Sequence, residues 1–125
     1  MRVVTGVVYL LLAMTYNMLQ PVEGSTYIVG DEKGWNLYTD YSEWTRGLQF
    51  HVGDVLLFKY EKGAHNVMQV NSTGYEDCLT DSSLGTYTSG NDAIRLMNAG
   101  QYWYVCGLED HCDFGQKLII NVVRL

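Results

Sequence analysis

The sequence predicts an all-β fold, a Greek-key sandwich or barrel of about seven strands with one or two short helical turns. Three observations predict it. Short apolar runs rich in Tyr, Val, Ile and Phe recur along the chain. Glycines at Gly30, Gly34, Gly53, Gly63, Gly74, Gly90, Gly100, Gly107 and Gly115 punctuate those runs, the spacing of an antiparallel architecture. The last run, Lys117–Val123, shows the two-residue period of a strand, with Leu118, Ile120 and Val122 on one face and Ile119, Asn121 and Val123 on the other.

Taken in order, residues 1–24 carry Arg2, an apolar stretch from Val3 to Met14, and Val22 and Gly24 at the end. That layout is a secretory signal peptide, and the apolar stretch is short for a membrane span. A buried N-terminal helix is the alternative reading. Removal of residues 1–24 leaves a single domain over residues 25–125. Strands are expected near Tyr27–Val29, Leu48–His51, Val55–Tyr60, Asn66–Val70, Ala93–Met97, Gln101–Cys106 and Lys117–Val123. Both faces of Lys117–Val123 are largely apolar, which places it centrally. Thr39 or Asp40 can cap a helical turn over Tyr41–Arg46 that Gly47 ends, and Ser82–Thr88 is read as further helical turns. The ten Tyr, three Trp and three Phe supply large core surfaces, the run Tyr102-Trp103-Tyr104 included.

A net charge of −6 repels phosphate backbones and anionic lipid, which argues against nucleic-acid and membrane-surface binding. Arg2 and Glu23 cancel, so losing residues 1–24 changes nothing. The chain runs out at Arg124-Leu125 with no polar spacer and second apolar tail, so no lipid anchor is expected. The product is read as a secreted, extracellular monomer. Secreted cysteines pair, yet the chain has three, so one is left over.

The leftover thiol has a candidate purpose. In Cys106-x4-His111-x4-Gln116, a strand ends at Cys106 and the next opens at Lys117, with a tight loop between. Such a loop can gather a thiolate, an imidazole and an amide oxygen around one point. A second imidazole completes the donor set of a blue-copper electron-transfer site, two nitrogens and a sulfur with a weak axial donor. His51 reads as a strand-surface residue. His65 sits at a loop-to-strand transition, Lys62-Gly63-Ala64-His65-Asn66, and is the expected fourth member. With four protein donors no position stays open for substrate, so an electron carrier rather than an enzyme is expected.

These pieces occur within a longer pattern: Tyr27-Ile-Val-Gly30 with Gly34-Trp35, Phe50-x-Val52-Gly53-Asp54-x-Leu56-x-Phe58-x-Tyr60, and His65-Asn66-Val67. It continues with Thr88-Ser-Gly-Asn-Asp92, Gly100-x-Tyr-Trp-Tyr-Val-Cys106-Gly107 and His111-Cys112-x-x-Gly115-Gln116-Lys117. The pattern resembles the phytocyanins, plant blue-copper proteins of cupredoxin fold. The resemblance implies one type 1 copper held by His65, Cys106, His111 and Gln116, stellacyanin-like because Gln stands where Met is common. It also implies a disulfide between Cys78 and Cys112. The rival pairing, Cys106 with Cys112 and a free Cys78, stays open on cysteine count alone. The expected location is the apoplast, and the redox partner, small molecule or protein, is unknown.

Two other functions fit parts of the pattern. Zinc accepts the same donors and would make the site structural. A cell-wall interaction module could carry copper incidentally. Glu109, Asp110 and Asp113 around His111 are either a solvated rim or a gate that selects cationic or small neutral partners. Asn71-Ser72-Thr73 fits the N-glycosylation acceptor pattern, with Asn71 expected to be occupied.

Overall fold

A computed structural model describes residues 24–125, and the signal-peptide expectation lies outside them except for Gly24. Eight strands form two facing sheets: β1 (Thr26–Ile28), β2 (Phe50–His51), β3 (Val55–Lys59), β4 (Val67–Val70), β5 (Gly85–Tyr87), β6 (Asn91–Arg95), β7 (Gly100–Val105) and β8 (Lys117–Val123). The smaller sheet has the order β1-β3-β6 and the larger β2-β8-β7-β4-β5. The result is an open sandwich, not a closed barrel.

Two pairs depart from the antiparallel expectation. β1 runs parallel to β3, with Thr26 opposite Val55, and β2 runs parallel to β8, with Phe50 opposite Val122. Residue alternation fixes which face a side chain takes but says nothing of the neighbour's direction. Long connections are what allow parallel partners, and the one from β1 to β3 passes through a 3-10 turn at Asp31–Lys33 and the helix α1 (Tyr41–Thr45).

β8 has β2 on one side and β7 on the other, so it is central within its sheet. Its two faces are nevertheless unequal. Leu118, Ile120 and Val122 are buried, whereas Ile119 is 38% exposed and Asn121 open to solvent. The inward residues meet Leu56 and Phe58 of β3, Ile94 of β6 and Tyr104 of β7 in one core with Trp35 and Tyr41. Trp35 stands edge-on to Phe58, ring centroids 5.1 Å apart, and Phe58 lies 5.4 Å from Tyr104. Such aromatic contacts add stability beyond the area they bury.

Helix α1 is capped as the sequence suggested, by Asp40, whose carboxylate accepts from the Ser42 and Glu43 amides. A second helix, α2 (Ser72–Asp77), was not foreseen. Its signal was Asn71, an N-cap residue whose Oδ1 accepts from Gly74 N at 2.8 Å. α2 lies over the outer face of the larger sheet, where Val70, Val105 and Cys112 make a small second core with Tyr75 and Trp103. The expected helical turns at Ser82–Thr88 are instead β5, extended because it completes the sheet edge against β4, Val67 opposite Tyr87. Sheet pairing overrides weak local preference there.

At the opposite margin, the buried Asp54 carboxylate accepts from Ser25 N at 2.8 Å and His51 N at 2.7 Å, fastening the start of β1 to the β2–β3 turn. Asp92, also buried, accepts from the Tyr60 hydroxyl and from Ser89, closing β3 onto β6. Burial first, and then Asp92, push the Tyr60 phenol up to about 12.

Candidate metal centre

The segment from Cys106 to Gln116 joins β7 to β8 and is closed at its neck. Cys106 N donates to Gln116 O at 3.0 Å, which extends the ladder between the strands by one rung. Inside the loop, Gln116 N donates to His111 O at 2.9 Å and Gly115 N to Cys112 O at 2.9 Å. Gly115 takes a φ of 102°, a backbone that disfavours any side chain. The outcome is a compact turn that returns Gln116 beneath His111.

His65 arrives from a different direction. The chain leaves β3, turns through Gly63 and enters β4, with Ala64 N donating to Glu61 O at 3.0 Å. Its neighbour Asn66 locks the two segments together. Asn66 Oδ1 accepts from Gly107 N at 2.6 Å, and Asn66 O accepts from the Trp35 indole N–H at 2.8 Å. The approach leaves no room at residue 107, where a β-carbon would sit 2.0 Å from Met68 Sδ. Sequence reasoning used Asn66 only as part of a pattern. The signal of its role was a polar residue between a histidine and an apolar strand.

These anchors bring three donors together. His65 Nδ1 lies 3.2 Å from His111 Nδ1, and Cys106 Sγ lies 3.4 Å from His111 Nδ1 and 4.0 Å from His65 Nδ1. Among the described residues this is the group of metal-donor side chains that converges, all donor atoms within 4.8 Å of one another. His51 stays out of it, its ring 3.9 Å from Asp54 in β2. Cys78 and Cys112 form a disulfide, Cα atoms 5.8 Å apart, so the rival pairing is not the one adopted. Cys106 is the free cysteine.

Gln116 shows what the cluster lacks. It is 0% exposed, yet neither its amide oxygen nor its nitrogen has a hydrogen-bond partner. Its amide lies near enough to His65 to favour the protonated ring without a hydrogen bond of proper geometry. Buried amides are rarely left so. A cation among the three donors would give the oxygen a partner, and the residues present therefore fit a metal.

The protonation states suit that use. Burial, and then His111, hold His65 below its ordinary value, which favours the neutral ring that a metal needs. Burial raises the Cys106 thiol, against donation from the Asn66 and Leu108 backbone amides. A metal must therefore displace a proton from sulfur when it binds.

Known proteins share this plan. Residues 35–116 match the plastocyanin-like domain family. The chain is 41% identical to a stellacyanin of Toxicodendron vernicifluum over 103 residues, 78% of this chain and 96% of that protein. Cucumber stellacyanin, solved with Cu2+, superposes with a TM-score of 0.76 at 34% identity, covering 83% of this chain and 99% of that one. The chain belongs to the phytocyanin family. Its open sandwich is accordingly the cupredoxin-like one. A blue copper protein of Petunia hybrida is 47% identical over 103 residues, and there the phytocyanin chain spans 82% of itself but only 39% of the longer relative.

Proposed function

We propose that the protein is a secreted one-electron carrier that holds a single copper ion through His65, Cys106, His111 and Gln116. The observation that carries this reading is the convergence of two imidazoles on an unpaired thiol, with an orphaned amide beside them. The names of its relatives, blue copper protein and stellacyanin, support it. Copper, when bound, supplies a Cu(II)/Cu(I) couple. The chain's part is to hold donors that suit both states and to keep water away from them. The ladder rung at the loop neck and the Asn66 clasp do the holding, and the burial of Cys106 and Gln116 does the excluding. The test is the visible spectrum on adding Cu(II) to the reduced-thiol protein. An intense blue band is expected, and a colourless product would favour a structural zinc site.

The axial assignment has its own test. An amide oxygen is a harder donor than a thioether and favours Cu(II), so Gln116→Met is expected to raise the reduction potential. Voltammetry that finds the potential unchanged or lowered would remove Gln116 from the donor set.

His111 Nε2 lies 3.6 Å from the Glu109 carboxylate, and Asp110 and Asp113 stand at the same rim, both exposed. This rim is proposed to receive cationic redox partners. Raising ionic strength should slow reduction by a cationic reagent, and a rate indifferent to salt would retire that role.

No helix among the described residues is long and apolar enough to cross a membrane. Asn71 is exposed at the start of α2, with its amide oxygen engaged by Gly74 and its Nδ2 in no hydrogen bond among the described residues. We retain it as a glycan attachment point. Enzymatic removal of N-glycans should lower the mass of the secreted protein, and an unchanged mass would refute this.

A further inference from the structure

Far from the metal centre, the turn between β2 and β3 holds a buried carboxylate with no full cation beside it. The Asp54 side chain is 5% exposed. Its Oδ2 accepts from the His51 amide at 2.7 Å and its Oδ1 from the Ser25 amide at 2.8 Å. No lysine or arginine pairs with it among the described residues. Arg95 of β6 is exposed nearby and donates instead to the Gly53 carbonyl at 2.8 Å. The His51 ring stands 3.9 Å away and compensates the charge only when protonated. Buried charges are as a rule paired, so this carboxylate calls for a cation.

We propose that Asp54 is the counter-ion for the α-ammonium of a chain that begins at Ser25. The proposal rests on the secreted reading for one thing only, the cut after residue 24. Hydrolysis of the Gly24–Ser25 bond by water leaves a carboxylate on Gly24 and an ammonium on Ser25. The nitrogen that already lies 2.8 Å from Asp54 Oδ1 then becomes the missing cation without moving. Ser25 is exposed, so the other two N–H groups of the ammonium can meet water. The position before it suits removal. A β-carbon on Gly24 would lie 2.1 Å from the Gly53 oxygen, so the site admits glycine or no residue at all. The pair would also secure a weak element. β1 is a three-residue strand at the edge of the smaller sheet, and Ser25 O accepts from Val55 N at 2.9 Å where its pairing with β3 begins. Holding Ser25 in place thus holds the outermost strand in register.

The test compares three forms of the domain over residues 25–125, which holds both sheets, the core and the disulfide. One begins at a free Ser25, released from a fusion partner by a protease that leaves no extra residue. The second carries an acetyl group on Ser25, and the third keeps Gly24. Acetylation preserves the N–H toward Asp54 and removes the charge. The free form is expected to melt at least about 5 °C above the other two at pH 7. By NMR its α-ammonium should titrate well above the ordinary range of about 7.7–8.0. A raised folded value means that the advantage is present at pH 7 and fades as pH rises through that value. His51 of β2 and Arg95 of β6 are common to all three forms, so the difference reads the terminus. Asp54→Asn should erase the gap between free and acetylated forms to within about 1 °C, and the parent forms decide the matter if that variant does not fold. Equal melting of the free and acetylated forms, or an α-ammonium that titrates in its ordinary range, would overturn the proposal. A cell that releases no cut protein would sink the secreted reading alone, because the free Ser25 form still decides the pair.

Discussion

Replacing Cys106 with Ser is expected to leave a folded protein that stays colourless when Cu(II) is added. The sulfur is fully buried and takes no part in the disulfide, so the covalent framework survives its loss. A serine hydroxyl there can still hydrogen-bond the imidazole nitrogens that stand 3.4 and 4.0 Å from the sulfur. The cost in stability should therefore stay near about 1–3 kcal/mol, the range for a buried polar group imperfectly satisfied. Colour is another matter. The intense band of such sites arises from charge transfer between thiolate and cupric ion, and a serine hydroxyl stays protonated and supplies none. Loss of an outer-shell partner already costs about 10–100-fold in metal affinity, so loss of the sulfur itself should exceed that. Titration with Cu(II), followed by absorption and by circular dichroism, reads both effects. A variant that folds and still turns blue would move the metal elsewhere.

Cutting the other sulfur link should act on stability instead. The Cys78–Cys112 bond closes a sequence separation of 34 residues, for which the chain-entropy relation gives about 4 kcal/mol. Domains of this size hold only about 5–15 kcal/mol in total. Cys78→Ala with Cys112→Ala is thus expected to lower Tm by roughly 15–30 °C. The bond also pins α2 over the outer face of the larger sheet, where Cys112 packs with Val70 and Val105. Calorimetry of the metal-free double variant beside the parent checks the figure. A fall of less than about 5 °C would mean that α2 and its small core hold that loop unaided.

The site was more legible in the sequence than the fold around it, and the reason is spatial range. Cys106, His111 and Gln116 fall within one loop, so their convergence needs only a closed neck, and residue types there narrow the chemistry to very few metals. His65 was placed by its position at a strand entrance. The parallel pairing of β1 with β3 and of β2 with β8 left no trace in either strand, because a strand's own alternation is blind to the direction of its neighbour. Apolar residues on both faces of β8 placed it centrally, and it is interior to its sheet, yet Ile119 faces out at 38% exposure. Residue type reports affinity for the interior, not whether another layer arrives to cover it. α2 was hidden because Asn71-Ser72-Thr73 reads equally as a sugar acceptor and as a helix start. The burial of Gln116 without a partner depends on segments distant in sequence, which no local pattern encodes.

The closed neck between Cys106 and Gln116 and the tight fit of Gly107 against Met68 confine the invariant demands of the cluster to a few atoms. Glu109, Asp110, Asp113 and Phe114 are exposed and hang outside that frame. Selection can therefore redecorate the rim, altering which molecules are greeted, while the redox centre behind it keeps its tuning. A lineage of such proteins is free to diversify its clientele without reinventing its chemistry.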